Sequence, residues 1–96
     1  MEKKYDNAIF DTLRKVDSTI ATKDKNARVD TLIAVCILEG IKSGKRIVAI
    51  LPHLGFNKQH VGLRLEHGCG TNPDRHFWFK NSSGEYEGLI GSVLFP

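Results

Sequence analysis

The chain has 96 residues, of which 41% are hydrophobic and 26% are charged, proportions typical of one globular domain rather than a disordered chain. Its formal net charge is +3 and its isoelectric point is about 9.0, a balance that favours a nucleic-acid partner. The longest apolar run, residues 32–38, is too short to span a bilayer, and the charged N-terminus lacks the apolar region of a secretory signal. The sequence therefore predicts a single cytoplasmic domain over residues 1–96, without a membrane segment.

Two helices are predicted in the first half of the chain. Apolar residues recur at spacings of three and four within residues 5–20, which predicts an amphipathic N-terminal helix. A second helix, over residues 27–41, is apolar on most of its sides, and Asp24 or Asn26 is available as its N-cap. That composition is typical of a central helix enclosed by the other elements.

The segment LPHLGFNKQHVGLRLEHG predicts a tight turn between two further helices. The helix before the turn covers residues 44–54, and Gly55 permits the left-handed backbone that reverses the chain. The helix after the turn covers residues 58–67, with Asn57 as its N-cap and Gly68 at its end. The spacing of apolar residues places one stripe of each helix against a shared core.

A β-hairpin is predicted over residues 76–89. The segments HFWFK and EYEGL flank NSSG, a composition typical of two strands joined by a short turn. Strand alternation places Phe77 and Phe79 on one face of the hairpin and Trp78 on the other, together with the residues two before and two after it. The alternation leaves open which of the two faces is buried. The final segment, SVLF, is predicted either as a short strand or as a packed tail.

From residue 27 onward, this order of elements resembles the winged helix-turn-helix superfamily. The residues that carry the resemblance are Leu51, Gly55, Val61, Leu65 and Gly68, together with HFWFKNSSGEYEGL. The resemblance implies a mainly α fold with a small β-hairpin: a three-helix core over residues 27–68, a wing over residues 76–89, and helix 5–20 as an N-terminal addition that caps the core or builds a homodimer. It also implies binding to double-stranded DNA, with helix 58–67 in the major groove.

The resemblance implies a set of nucleic-acid-binding residues, which are Lys45, Arg46, Asn57, Lys58, Gln59, Arg64 and Lys80. Gln59 is suited to reading adenine, whereas Lys58 and Arg64 are suited to phosphate or guanine. Lys80, near the tip of the wing, is suited to a phosphate contact. The function expected from this set is that of a small DNA-binding transcriptional regulator.

A second interpretation is a non-enzymatic protein-interaction module, an adaptor or an antagonist, on the same scaffold. Leu63 and Glu66 project from the outer face of helix 58–67, where an apolar contact and a negative charge suit a protein partner better than phosphates. Trp78 becomes a protein-contact residue if it is exposed, and Glu85 and Glu87 make the wing acidic. The sequence leaves both interpretations open, because function depends on the site rather than on the fold.

No enzymatic or metal-binding motif is evident. The chain contains no GxGxxG, P-loop or GxSxG segment. The histidines and cysteines are His53, His60, His67, His76, Cys36 and Cys69. Their spacings include no tight ligand pair such as CxxC or HExxH, so the sequence predicts reduced thiols and neither a metal, nor a cofactor, nor catalysis.

Overall fold

The computed structural model describes residues 7–20 and 23–96, and within them it contains four α-helices and a two-stranded antiparallel sheet. The helices are α1 (Asn7–Thr19), α2 (Lys25–Leu38), α3 (Gly44–Ile50) and α4 (Lys58–His67), and the strands are β1 (Trp78–Lys80) and β2 (Tyr86–Gly88). The predicted class, mainly α with a small β-hairpin, is confirmed. None of the described helices has the length and apolar character needed to cross a membrane.

Helix α1 packs along α2 and covers one side of the core. Its inner positions Ile9 and Leu13 are buried at the spacing that places them on one helical face. The helix predicted over residues 5–20 is confirmed from Asn7 to Thr19, and its predicted first two residues lie outside the described part of the chain.

Helix α2 is the central helix, as its apolar composition predicts. Its buried residues are Val29, Asp30, Leu32, Ile33, Ala34, Cys36 and Ile37. They occupy several sides of the helix because α1, α4 and β2 all pack against it. Asp30 is the one charged residue among them, and its partner lies on α4.

The ends of α2 are set by its caps and differ from the predicted bounds of residues 27–41. At the start, a carboxylate oxygen of Asp24 accepts a hydrogen bond of 3.0 Å from the backbone N–H of Asn26, so the helix begins earlier, at Lys25. At the end, Gly40 has a φ of 91°, and the N–H of Ile41 reaches back 2.8 Å to the carbonyl of Cys36. This left-handed cap ends the helix at Leu38.

The helix predicted over residues 44–54 is shorter and continues as a tighter turn. Helix α3 ends at Ile50, and a 3-10 turn follows from Leu51 to Leu54. Pro52 has no backbone N–H to continue the α-helical bonding, and its carbonyl accepts a bond of 3.0 Å from Gly55. Gly55, at a φ of 97°, then reverses the chain toward α4.

Helix α4 has the predicted bounds, Lys58–His67. The side-chain oxygen of Asn57 accepts a bond of 3.1 Å from the N–H of His60 and caps the first turn. Gly68 ends the helix as predicted, but with an ordinary negative φ of −84°. Glycine is required there for space, because a Cβ would lie 2.7 Å from the ring of Trp78.

The hairpin predicted over residues 76–89 has a shorter paired region, with Trp78 opposite Gly88 and Lys80 opposite Tyr86. In the connecting turn, the side-chain oxygen of Asn81 accepts bonds from the N–H groups of residues 83 and 85. The SVLF segment packs as a tail, with Phe95 buried and lying where a side chain on Gly88 would stand.

Candidate nucleic-acid interface

Helix α4 presents an exposed stripe that forms one wall of an open groove with α3. The groove is lined by Val48 from α3 and by Lys58, Gln59, Gly62, Leu63 and Glu66 from α4. The positions 59, 62, 63 and 66 follow the i, i+3, i+4, i+7 spacing of one helical face. Leu63 lies on this stripe with 64% of its surface exposed, so the groove combines an apolar floor with polar ends. These six residues form the α4 groove.

The α4 groove has a fixed orientation because the opposite side of the helix is anchored at several points. Val61 and Leu65 are buried in the core. The indole N–H of Trp78 donates a hydrogen bond of 2.8 Å to the carbonyl of Leu65, and the carbonyl of Gly68 accepts from the N–H of Phe77 at 2.8 Å. These bonds attach the C-terminal end of α4 to β1 and to the segment before it.

Arg64 is part of this anchor and does not lie in the α4 groove. Its Nε and Nη2 donate hydrogen bonds of 2.9 and 2.7 Å to the two carboxylate oxygens of Asp30 on α2, and only 17% of the side chain is exposed. The hydrogen bonding to Asp30, reinforced by the charge of that carboxylate, raises the pKa of Arg64 above its ordinary value. The bond to Asp30 holds the guanidinium of Arg64 away from the α4 groove, and its contact with phosphate or guanine stays a prediction that this position does not favour.

Trp78 also lies in the core rather than on a contact surface. Its side chain is fully buried, and its one polar hydrogen is bonded to α4. The hypothesis that Trp78 contacts a protein partner is corrected, because the alternation of β1 turns this residue inward against α4. Phe77 and Phe79, which alternate with Trp78 along the chain, are half-buried.

The predicted cations at the start of α3 and α4 are accessible. Lys45, Arg46 and Lys58 are all exposed. Lys45 lies three residues before Val48 and so shares the face of α3 that lines the α4 groove. Lys58 lines the groove directly, at the first turn of α4, where the backbone N–H groups add a partial positive charge. The side-chain oxygen of Asn57 is used by the cap of this turn.

The wing has one exposed cation, Lys80, and one acid, Glu87, whose charge is partly neutralised by neighbouring side chains. The ammonium group of Lys80 lies 5.3 Å from the ring centre of Tyr86, so its stem is held along the hairpin. Glu87 accepts a bond of 2.8 Å from Asn81 and lies 3.6 Å from the ammonium of Lys42. The Asn81 bond and then the Lys42 charge lower the pKa of Glu87. The acidity of the wing is thus partly neutralised within the protein, and Glu85 is its exposed acid.

Three residues that determine the composition of the α4 groove were not among the predicted site residues. Val48 and Gly62 complete the apolar floor of the α4 groove, and Asp30 withdraws Arg64 from it. Asp30 had a signal in the sequence, since an acidic residue within an apolar helix requires a buried partner. No signal in the sequence identified Arg64 as that partner, because it lies 34 residues away along the chain.

The histidines and cysteines do not form a shared centre. Within residues 7–20 and 23–96, no three His, Cys, Asp or Glu side chains are grouped in a way that suits a metal ion. Nδ1 of His76 accepts a bond of 3.3 Å from the N–H of Asn72, which makes it part of the loop before β1. Burial raises the pKa of Cys36 to about 12, and both thiols are free.

No protein-family model matches the chain, and neither the curated proteins nor the solved structures include a significant match. The function must therefore be inferred from the geometry of the site.

Proposed function

We propose that this chain is a winged helix-turn-helix protein that binds double-stranded DNA through the α4 groove. The observation that carries the proposal is the exposed stripe of α4, which is rigidly anchored from behind and has cations at its N-terminal end. A protruding helix of this kind fits the width of the DNA major groove. Transcriptional regulation is the role we propose for it, and a cytoplasmic location stays a prediction from the sequence.

The connections between the elements support the winged-helix assignment. Helix α3, the reversal at Gly55 and helix α4 follow one another as in a helix-turn-helix, and the hairpin comes next. The N–H of Tyr86 in β2 donates a bond of 2.8 Å to the carbonyl of Lys42, in the link between α2 and α3. This bond attaches the proposed wing to the link between the second and third helices.

The proposed phosphate contacts come from the predicted cations that remain accessible, which are Lys45, Arg46, Lys58 and Lys80. Lys58 and the N-terminal turn of α4 act together, since the helix dipole and the ammonium attract the same anion. With Arg64 committed to Asp30, base contacts fall to the side chains that line the groove, chiefly Gln59 and Leu63.

A protein-interaction module remains the second candidate, favoured by one observation. Leu63 is exposed in a groove whose floor also includes Val48, and an exposed apolar side chain is a common anchor for a protein partner. Glu66, at the end of the same stripe, repels phosphates. Trp78 no longer belongs to this interpretation, because it is buried.

A homodimer through α1 stays a prediction. The apolar stripe of α1 is used inside the protomer, where Ile9 and Leu13 are buried against the core. The large apolar side chains that are exposed in the described chain are Leu38, Leu63, Ile90 and Val93, none of them on α1. We therefore propose that α1 primarily covers α2.

The test is binding to a random-sequence DNA duplex across a salt series. Four phosphate contacts predict that the logarithm of the association constant falls against the logarithm of the salt concentration with a slope of about −3.6. Lys58→Ala is expected to weaken binding and to make the slope shallower by about 0.9. Lys15→Ala, which removes an equally exposed lysine from α1, is the matched control and should change the slope far less.

The outcomes separate the two candidate functions. Salt-sensitive binding that depends on Lys58 supports the DNA proposal. An absence of duplex binding at low salt, in a protein that is folded by circular dichroism, contradicts it and favours the protein-interaction module.

A further inference from the structure

We infer that the α4 groove recognises A·T base pairs through the 5-methyl group of thymine, with Gln59 reading the adenine. The inference rests on the proposed DNA binding and gives it a specificity. It starts from the chemistry of the groove floor, which is apolar at Val48, Gly62 and Leu63. In the major groove, thymine offers the only methyl group among the four bases.

The groove has space where a methyl group would lie. Gly62 has no side chain, and a Cβ built at this position meets no atom within 4 Å. Leu63 stands beside it with 64% of its surface exposed. A methyl group placed against Leu63 removes apolar surface from water on both partners, which is favourable whatever the partner's polar groups do.

Gln59 stands one helical turn before Leu63 on the same stripe. Its amide has a donor and an acceptor, the pair that matches N7 and the 6-amino group of adenine. One helical turn covers about 5.4 Å, and successive base pairs are about 3.4 Å apart. Gln59 and Leu63 therefore reach the same base pair or neighbouring ones, which suits an adenine beside a thymine.

The position of Arg64 leaves the α4 groove without an arginine that could read guanine. Guanine presents two acceptors, O6 and N7, which are most often read by arginine or lysine. The α4 groove has no arginine among its lining residues, because the guanidinium of Arg64 is bonded to Asp30. Glu66, near the C-terminal end of the stripe, is an acceptor and repels both guanine atoms. Lys58, at the other end of the groove, is able to donate to guanine, so the selectivity we infer rests on the thymine methyl group and not on rejection of guanine.

The experiment compares three duplex probes of equal length: alternating A·T, alternating A·U and alternating G·C. Uracil pairs as thymine does but lacks the 5-methyl group, so the first two probes differ by that group. We expect wild-type protein to bind the A·T duplex about fourfold more tightly than the A·U duplex for each methyl group buried, and the G·C duplex more weakly than the A·T duplex.

Leu63→Ala assigns the difference to one side chain. This variant is expected to show a smaller preference for the A·T duplex over the A·U duplex, because most of the apolar side chain that contacts the methyl group is removed. Leu38→Ala is the matched control: it truncates a leucine of α2 that is 68% exposed and lies in a different groove, beside Ile90 and Phe95. It should retain the fourfold preference. Both substitutions are at exposed positions, and thermal melting verifies that both variants fold.

Each outcome decides the inference. Equal wild-type affinity for the A·T and A·U duplexes overturns it, as does a preference that is undiminished in Leu63→Ala. In both cases salt-sensitive binding that depends on Lys58 leaves the proposed DNA binding intact. If no duplex binds at low salt, the proposed function and this inference both fail.

Discussion

The pair formed by Asp30 and Arg64 is the residue-scale feature on which the site depends most. Two charged side chains, 7% and 17% exposed, join α2 to α4 by two short hydrogen bonds. Burying charges costs free energy that only good geometry offsets, and removing one partner leaves the other uncompensated. The pair therefore holds α4 in place and also keeps a guanidinium out of the α4 groove.

Replacing Asp30 with alanine is expected to lower the free energy of unfolding by about 3 kcal/mol, because Arg64 is left without its buried partner. Urea unfolding measures the change. The control is Asp11→Ala, which removes an exposed acid lying 3.8 Å from Arg14 and should cost no more than about 1 kcal/mol. Equal changes in the free energy of unfolding for the two substitutions would contradict a stabilising role of the buried pair.

The two cysteines are expected to differ sharply in reactivity. Cys36 is fully buried, and burial raises its pKa to about 12, so at pH 8 it is both inaccessible and protonated. Cys69 is half-buried in a loop. A thiol reagent should therefore modify one cysteine quickly in the folded protein and the second only on unfolding, and Cys69→Ala should remove the fast phase. Two fast-reacting thiols in the wild-type protein contradict this placement.

The raised pKa of Cys36 also makes stability depend on alkaline pH. The unfolded chain releases the thiol proton near the ordinary value of 9.0, whereas the folded chain keeps it until about pH 12. The unfolded state therefore binds fewer protons within this window, and the contribution of Cys36 to stability falls as the pH rises through it. Wild type and Cys36→Ala should accordingly diverge in the slope of stability against pH only above pH 9.

At the scale of elements, the two glycines of the α4 region should respond oppositely to alanine. A Cβ at Gly62 meets open space, so Gly62→Ala is expected to stabilise α4 by about 0.5–1 kcal/mol. A Cβ at Gly68 would lie 2.7 Å from the buried ring of Trp78, so Gly68→Ala is expected to destabilise by about 1–3 kcal/mol. Thermal melting of both variants tests this, and a Gly68→Ala protein as stable as wild type contradicts the packing of α4 on β1.

The helices were predictable from the sequence because their apolar periodicity and their caps are local. Asn57 and Gly68 bound α4 where expected, and the reversal at Gly55 follows from glycine alone. The division of the third helix was less predictable. Pro52 disfavours a continued α-helix but does not by itself specify the 3-10 turn that follows.

The candidate site was less predictable than the elements that form it, since its composition depends on long-range contacts. Lys58, Gln59 and Leu63 follow from helical periodicity and do line the groove. Arg64 follows from the same periodicity but is bound by a residue on another helix. Strand alternation left open which face of the hairpin is buried, and the packing of Trp78 against α4 decides it.

At the scale of the whole molecule, the exposed apolar grooves of the described chain include two on different elements. One is the α4 groove, and the other includes Leu38 and Ile90. Each groove is lined by one lysine and one glutamate, Lys58 and Glu66 in the first and Lys42 and Glu87 in the second, but Lys45 adds a further exposed cation beside the first. This difference in charge is why we assign the proposed DNA contact to the α4 side.

The most direct test of the DNA-binding proposal is amide chemical-shift mapping of the labelled protein during titration with a short A·T duplex. Our account predicts that the largest shifts fall on residues 58–66 of α4 and on the first turn of α3 around Lys45, with little change around Leu38 and Ile90. Shifts centred on the Leu38 groove, or no shifts with a duplex at low salt, would contradict it.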